Sequence, residues 1–140
     1  MFPTPSSNMQ NPDVVRIRHM LDACCEALEF AKGKTRADLD KNRMLVLSLV
    51  KEVEIIGEAA AKVSLDTKSK HPEIPWQDMA LMRNRLIHVY FDVDLEVVWE
   101  TIQKDLPNLK RKLQGINFPE VREMQAIYSA RKTKVKKRKK

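Results

Sequence analysis

From Arg43 to Ser64 the chain reads RMLVLSLVKEVEIIGEAAAKVS, uninterrupted by proline. This run constrains the fold more than any other stretch. At helical spacing Leu45, Val46, Leu47, Leu49, Val50, Val53, Ile55 and Ile56 fall on more than one face. A helix apolar on nearly all sides is either the centre of a bundle or one that also meets a partner chain. Gly57 in its middle costs about 1 kcal/mol against alanine. With Ala59, Ala60 and Ala61 beside it, the expected return is a close approach by a second helix. Glu58, inside this patch of small residues, reads either as an exposed acid or as a partner for an arginine elsewhere.

The remaining segments point the same way. Only three glycines occur in 140 residues, and stretches rich in Leu, Met, Glu, Lys and Ala favour helices. From Val14 to Lys32 the apolar stripe Val14, Ile17, Leu21, Cys24, Cys25 and Leu28 predicts an amphipathic helix, capped by Asp13 and ended by Gly33. Thr35–Asn42 reads as a polar connection with room for one helical turn, and residues 65–75 as a polar loop with two prolines. Pro75 then opens a helix running to Tyr90. After a break at Phe91–Val93, Asp94 caps another, whose stripe runs from Val97 to Leu113. Pro107 inside it predicts a kink, or a stop with a restart near Asn108. The fold class is all-α: an up-and-down bundle of four to five helices over residues 13–115. A loose leader at 1–12 precedes it. A short C-terminal extension at 116–130, with helical character, and a basic tail at 131–140 follow.

Composition excludes several functions. No run of about 18 uncharged apolar residues exists, so no membrane span is expected. The first residues lack a basic and apolar signal pattern, and adjacent Cys24 and Cys25 cannot pair with each other, so a cytoplasmic setting is the expectation. No glycine-rich phosphate loop or Gly-x-Ser-x-Gly elbow is present. His19, His71 and His88 have no ligand partner at i+3 or i+4, so neither a metal nor a cofactor is expected. His19 and His71 read as solvated or packing positions. The net charge of +7 is local: without the eight basic residues of 131–140 the remainder carries −1. That tail suits RNA or an acidic partner by charge alone, and equally suits a solubilising role.

The chemistry concentrates in Leu81–Tyr90, LMRNRLIHVY. Arg83, Asn84, Arg85, His88 and Tyr90 are threaded through an apolar run. On an ideal helix Asn84 and His88 form an i, i+4 pair, but Arg83 and His88 stand about 140° apart. Either the helix end is distorted near His88 or a second subunit completes the site. An imidazole, with its pKa of about 6.5, can take a proton from a ribose 2′-hydroxyl or give one to a leaving oxygen. A guanidinium can hold the phosphate and stabilise transition-state charge. The same residues also fit a plain structural role, with solvated arginines, a satisfied interior histidine and a core tyrosine.

Arg83-x4-His88-x-Tyr90 resembles the RX4HXY signature of HepT-type toxins of the HEPN superfamily. The likeness extends to EIIGEAA (Glu54–Ala60), HPEIPW (His71–Trp76), RNRLIHVYFDVD (Arg83–Asp94) and VWETIQKDLPNL (Val98–Leu109), covering residues 13–113. It implies a HEPN-type bundle that dimerises and carries a ribonuclease cleft at the dimer interface. Arg83 and His88 would be catalytic there, with Asn84 in support; Arg85 and Glu58 are further supporting candidates from the residues themselves. Tyr90 would be the side chain to which an MNT-type nucleotidyltransferase antitoxin adds AMP. The function implied is thus a metal-independent endoribonuclease toxin of a type VII HepT/MNT pair. The alternative is a non-catalytic helical module that docks and positions a substrate for a minimal nucleotidyltransferase. The leader and the residues beyond Gly115 lie outside the resemblance.

Overall fold

The computed structural model describes residues 11–87 and 92–116. Its helices, in chain order, are α1 (Pro12–Ala31), α2 (Arg36–Lys41), α3 (Arg43–Lys62), α4 (Leu65–Lys70), α5 (Trp76–Leu86), α6 (Leu95–Glu100) and α7 (Leu106–Gln114). A π-turn at Thr101–Asp105 joins α6 to α7, so four long helical runs form an all-α bundle. Most of the leader, the C-terminal extension beyond Ile116 and the basic tail lie outside the described residues. Among those described, no helix is long and apolar enough to cross a membrane.

The apolar run becomes the central helix, as its pattern required. α3 packs between α1 and α5, and α7 closes against α1. Leu49, Val53 and Ile56 of α3, Ile17, Met20 and Cys24 of α1, Met82 and Leu86 of α5, and Leu106 and Leu113 of α7 are fully buried in one cluster. Each large aliphatic side chain so buried contributes about 1.5–3 kcal/mol. Cys24 and Cys25 are free and buried. Gly57 shows why the small-residue patch exists. A Cβ there would sit 3.0 Å from the Met79 carbonyl oxygen and 3.4 Å from that of Ala80. The backbones of α3 and α5 therefore nearly touch, as expected.

Several local expectations are corrected. Asn11, not Asp13, caps α1, accepting from the Asp13 N–H at 3.0 Å. Asp13 is instead buried and joins α1 to α4. It accepts from the Ser64 N–H at 2.9 Å, the Ser64 hydroxyl at 2.5 Å and the Thr67 hydroxyl at 2.6 Å. Desolvation pushes its carboxyl up, but those hydrogen bonds and the charge of Arg16 outweigh it and hold the group below the ordinary range. Residues 65–70, expected as loop, form α4 because Ser64 caps the Thr67 N–H at 3.3 Å. Pro107 neither stops nor restarts the helix. The chain absorbs its missing N–H by widening to the π-turn, in which the Leu106 N–H reaches the Thr101 carbonyl. Asp94 caps α6 as expected, accepting from the Val97 N–H at 3.2 Å. Gly33, at φ 76°, ends α1 in the left-handed region.

One buried acid stands against a second carboxyl, that of Glu26. Glu52 of α3 is 6% exposed, and its Oε2 lacks a hydrogen bond. Burial, and then the neighbouring Glu26 carboxyl, push its pKa up to about 7. An acid raised above its unfolded value of 4.5 binds more protons when folded, so it costs stability as pH rises from about 4.5 to 7 and that cost is complete above pH 7. Glu52→Gln is accordingly expected to raise stability by about 2 kcal/mol at pH 8, with the gain vanishing near pH 4. Urea melts at the two pH values measure it. At the helix crossing, Gly57→Val should cost about 2 kcal/mol or more by forcing α3 and α5 apart. Gly57→Ala should cost less, since the smaller methyl meets the carbonyl with partial relief from helix propensity.

Candidate active site at the end of the fifth helix

The Gly57 crossing sets what faces what. Gly57 lies against Met79 and Ala80, and Glu54 lies against Arg83. Residue numbers fall on α3 as they rise on α5, so the two helices run antiparallel. One turn from the crossing, Arg83 Nε donates to Glu54 Oε1 at 2.7 Å. Lys51 Nζ stands 4.0 Å from the other carboxylate oxygen of Glu54. The Arg83 side chain is 40% exposed and that of Glu54 27%. In such a partly wet setting an ion pair contributes about 1 kcal/mol at most. Its consequence is geometric: the guanidinium is fixed at the helix surface through Nε, a bond in which its two terminal nitrogens take no part.

Buried Met82 and Leu86 anchor the last two turns of α5. The three polar residues between them then diverge, each about 100° from the next. Arg83 turns to α3. Asn84 is exposed. Arg85 lines a separate cavity of about 240 Å³ between α5 and α7, with Asp78, Asp105, Asn108 and Lys112. Arg83 and Arg85 thus do not converge on one group.

The helix expected to reach Tyr90 ends at Leu86. Ile87 is extended, at φ −119° and ψ 125°, and forms an antiparallel bridge with Val93. The Ile87 N–H still reaches the Arg83 carbonyl at 3.2 Å, while the Leu86 carbonyl takes the Asp94 N–H at 2.8 Å. A β-branched residue that pairs laterally gains more from this bridge than from another helical turn. The 140° separation computed on an ideal helix therefore does not apply, because α5 stops before His88. His88 and Tyr90 themselves lie outside the described residues.

Glu58 is exposed and does not pair with Arg83; Glu54, one turn earlier, takes that place. Instead Glu58 lines a cavity of about 460 Å³ between α1 and α3, with Arg16, His19 and Lys62. Glu54 was legible in principle. Once Gly57 marks the crossing, a residue three positions back on α3 faces the same neighbour. Nothing in the periodicity of α1 singled out Arg16 or His19. Among the described residues no three His, Cys, Asp or Glu side chains converge in a way that could hold a metal ion.

Comparison with known proteins bears on this geometry. The family described as Ribonuclease HepT-like matches residues 20–116. A "Probable ribonuclease HepT" of Thermococcus cleftensis is 41% identical over 100 residues, which span 69% of this chain and 91% of that protein. The "Putative RNase TTE0752" of Caldanaerobacter subterraneus is 37% identical over 100 residues, 71% of this chain and 89% of the relative. A "Gamma-glutamylcyclotransferase and putative RNase MJ0434" of Methanocaldococcus jannaschii is 35% identical over 102 residues, 73% of this chain but 46% of the relative. No solved structure matches the chain. With more than half of its length matched and relatives above 30% identity nearly spanned, this chain belongs to the ribonuclease HepT-like family.

Proposed function

We propose that this protein is a metal-independent endoribonuclease, the toxin of a type VII HepT/MNT toxin–antitoxin pair. The observation that carries the reading is the Arg83–Glu54 pair at the end of α5, with His88 following directly on the extended Ile87. Covalent connection keeps the His88 Cα about 3.8 Å from that of Ile87. Arg83 lies one helical turn before that exit, so a group held by its guanidinium is close to the chain that carries the imidazole. Family membership supports RNA as the substrate.

The chemistry then runs within the strand. A ribose 2′-oxygen attacks the adjacent phosphorus as its proton is taken up, and the bond to the 5′-oxygen breaks as that oxygen gains a proton. The product ends are a 2′,3′-cyclic phosphate and a 5′-hydroxyl. His88 serves the proton transfers. Arg83 holds the phosphate oxygens and the charge that grows on them, and Asn84 orients the site. Two half-sites meet in a homodimer. Met44 is 80% exposed, Leu47 49% and Leu81 46%, and such apolar exposure on α3 and α5 supports a partner-facing surface. An MNT-type nucleotidyltransferase silences the protein by adding AMP, a bulky anionic group, to Tyr90.

His88→Ala should lower cleavage of a fluorescent RNA by about 10²–10⁴-fold, and Arg83→Ala by about 10²–10³-fold, in buffer containing a chelator. Both variants should still sediment as dimers and cease to inhibit growth. Cleavage at the wild-type rate by His88→Ala would remove the assignment. Tyr90→Phe should stay toxic when the antitoxin is co-expressed. An AMP adduct still mapping to position 90 by mass spectrometry of that variant would show the modified residue to be misassigned.

A further inference from the structure

The cavity between the start of α1 and the end of α3 belongs to no step described so far. Arg16 and His19 stand three apart on α1, and Glu58 and Lys62 four apart on α3, so each pair shares a helix face. The two helices run antiparallel here, since Asp13 near the start of α1 is bonded to Ser64 just past the end of α3. Three basic side chains thus rim a space of about 460 Å³. That size falls within the range of about 300–1,000 Å³ found for small-ligand sites. Its floor is apolar: Val15 and Ile55 are half-buried and Ala59 is buried.

These features fit a nucleotide better than a bare anion. An apolar floor suits the face of a nucleobase, and the exposed imidazole of His19 is a ring on which a base can stack. Arg16 and Lys62 supply cations for the flanking phosphates. Glu58 is an acceptor for base N–H donors. The location matters as much as the lining. Glu58 is one turn from Glu54, which holds Arg83. Lys62 is two turns from Glu54, about 12 Å along the axis at 1.5 Å per residue. That is on the order of three nucleotides at about 3.4 Å of stacked rise.

We propose that this α1–α3 cavity is a nucleotide subsite, occupied by a base and its phosphates in the RNA strand that runs from Arg83 along α3. The assignment of the occupant to a strand rests on the ribonuclease reading above; the nucleotide chemistry of the cavity does not. A free mononucleotide presents the same groups, and the test separates the two sources.

The probe is a fluorescent 2′-O-methyl RNA decamer, which cannot be cleaved, titrated into the full-length protein by anisotropy at several salt concentrations. Arg16→Ala/Lys62→Ala should weaken binding at least tenfold. It should also lower the slope of log K against log salt by about 1.4, for two single-strand phosphate contacts. Lys34→Ala/Lys41→Ala carries the same net charge but lies beyond the far end of α1 and at the end of α2, just before α3 begins, so it should stay within twofold of wild type. Lys62→Glu, a change at an exposed side chain, should reproduce the loss without touching the core. Equal decamer affinity and slope for the cavity and control variants, with no AMP binding lost from the cavity variant, would overturn the subsite. Calorimetric binding of AMP that the cavity variant loses, with decamer binding unchanged, would overturn the strand assignment in favour of a free nucleotide. Cleavage is measured separately. A wild type that cuts no RNA yet binds the decamer through Arg16 and Lys62 leaves the subsite standing and removes the nuclease reading.

Discussion

The backbone contact between α3 and α5 is the constraint on which the rest of this molecule depends. At Gly57 the absent side chain lets two carbonyl groups of α5 come within 3.0 and 3.4 Å of where a Cβ would lie. A contact that close leaves little freedom in how far apart the helices stand or how one slides along the other. Register follows from it. One turn toward the start of α3 faces one turn toward the end of α5, and that places Glu54 against Arg83. A glycine inside a helix, unfavourable by propensity, therefore stands where the register of α3 on α5 is set.

Polar stitches fix the ends that apolar packing leaves loose. Asp13 binds the turn after α3 through three hydrogen bonds and so sets the angle between α1 and α3, whose groove holds Arg16, His19, Glu58 and Lys62. The start of α6 performs the matching task at the other end. The Asp94 side chain caps its own helix while its N–H takes the Leu86 carbonyl. With the Ile87–Val93 bridge, these bonds hold together the two described ends of the segment that contains His88. Both stitches use side chains or backbone groups that a hydropathy pattern does not register.

That difference explains how far the sequence could be read. The central helix, its close crossing at Gly57 and the bundle class were legible because they depend on periodic burial, which a run such as Leu45 to Ile56 displays directly. Some helix ends, at Gly33 and Asp94, were legible as well, but others were not. Leu81 to Tyr90 carries an unbroken helical pattern, yet α5 yields at Leu86 because Ile87 finds a lateral partner six residues ahead, at Val93. Residues 65–70 look like loop by composition but fold once Ser64 caps them. Pro107 announced a disturbance, and the π-turn is its form. Arg83 stood out as a site candidate from the polar cluster in its apolar run, with motif likeness added, whereas its partner came from register. Glu58 was the acid the small-residue patch drew attention to, and Glu54 is the one that the crossing presents.

The strength of the Arg83–Glu54 pair is itself informative. Had both side chains been buried, separating them would strand a charge and cost several kcal/mol, and the arginine would be a structural fixture. With 40% of Arg83 and 27% of Glu54 still in contact with solvent, the pair is worth about 1 kcal/mol at most. A charge-assisted contact to a phosphate contributes about 1.5–3 kcal/mol. In the proposed reading an arriving phosphate is gripped by the guanidinium, with the Glu54 bond kept or exchanged, at little net cost. The pair itself is a half-wet contact and not a sealed structural fixture. Arg85, turned into the α5–α7 groove among Asp78, Asp105 and Lys112, has no such position, so two arginines two positions apart in the sequence face different neighbours.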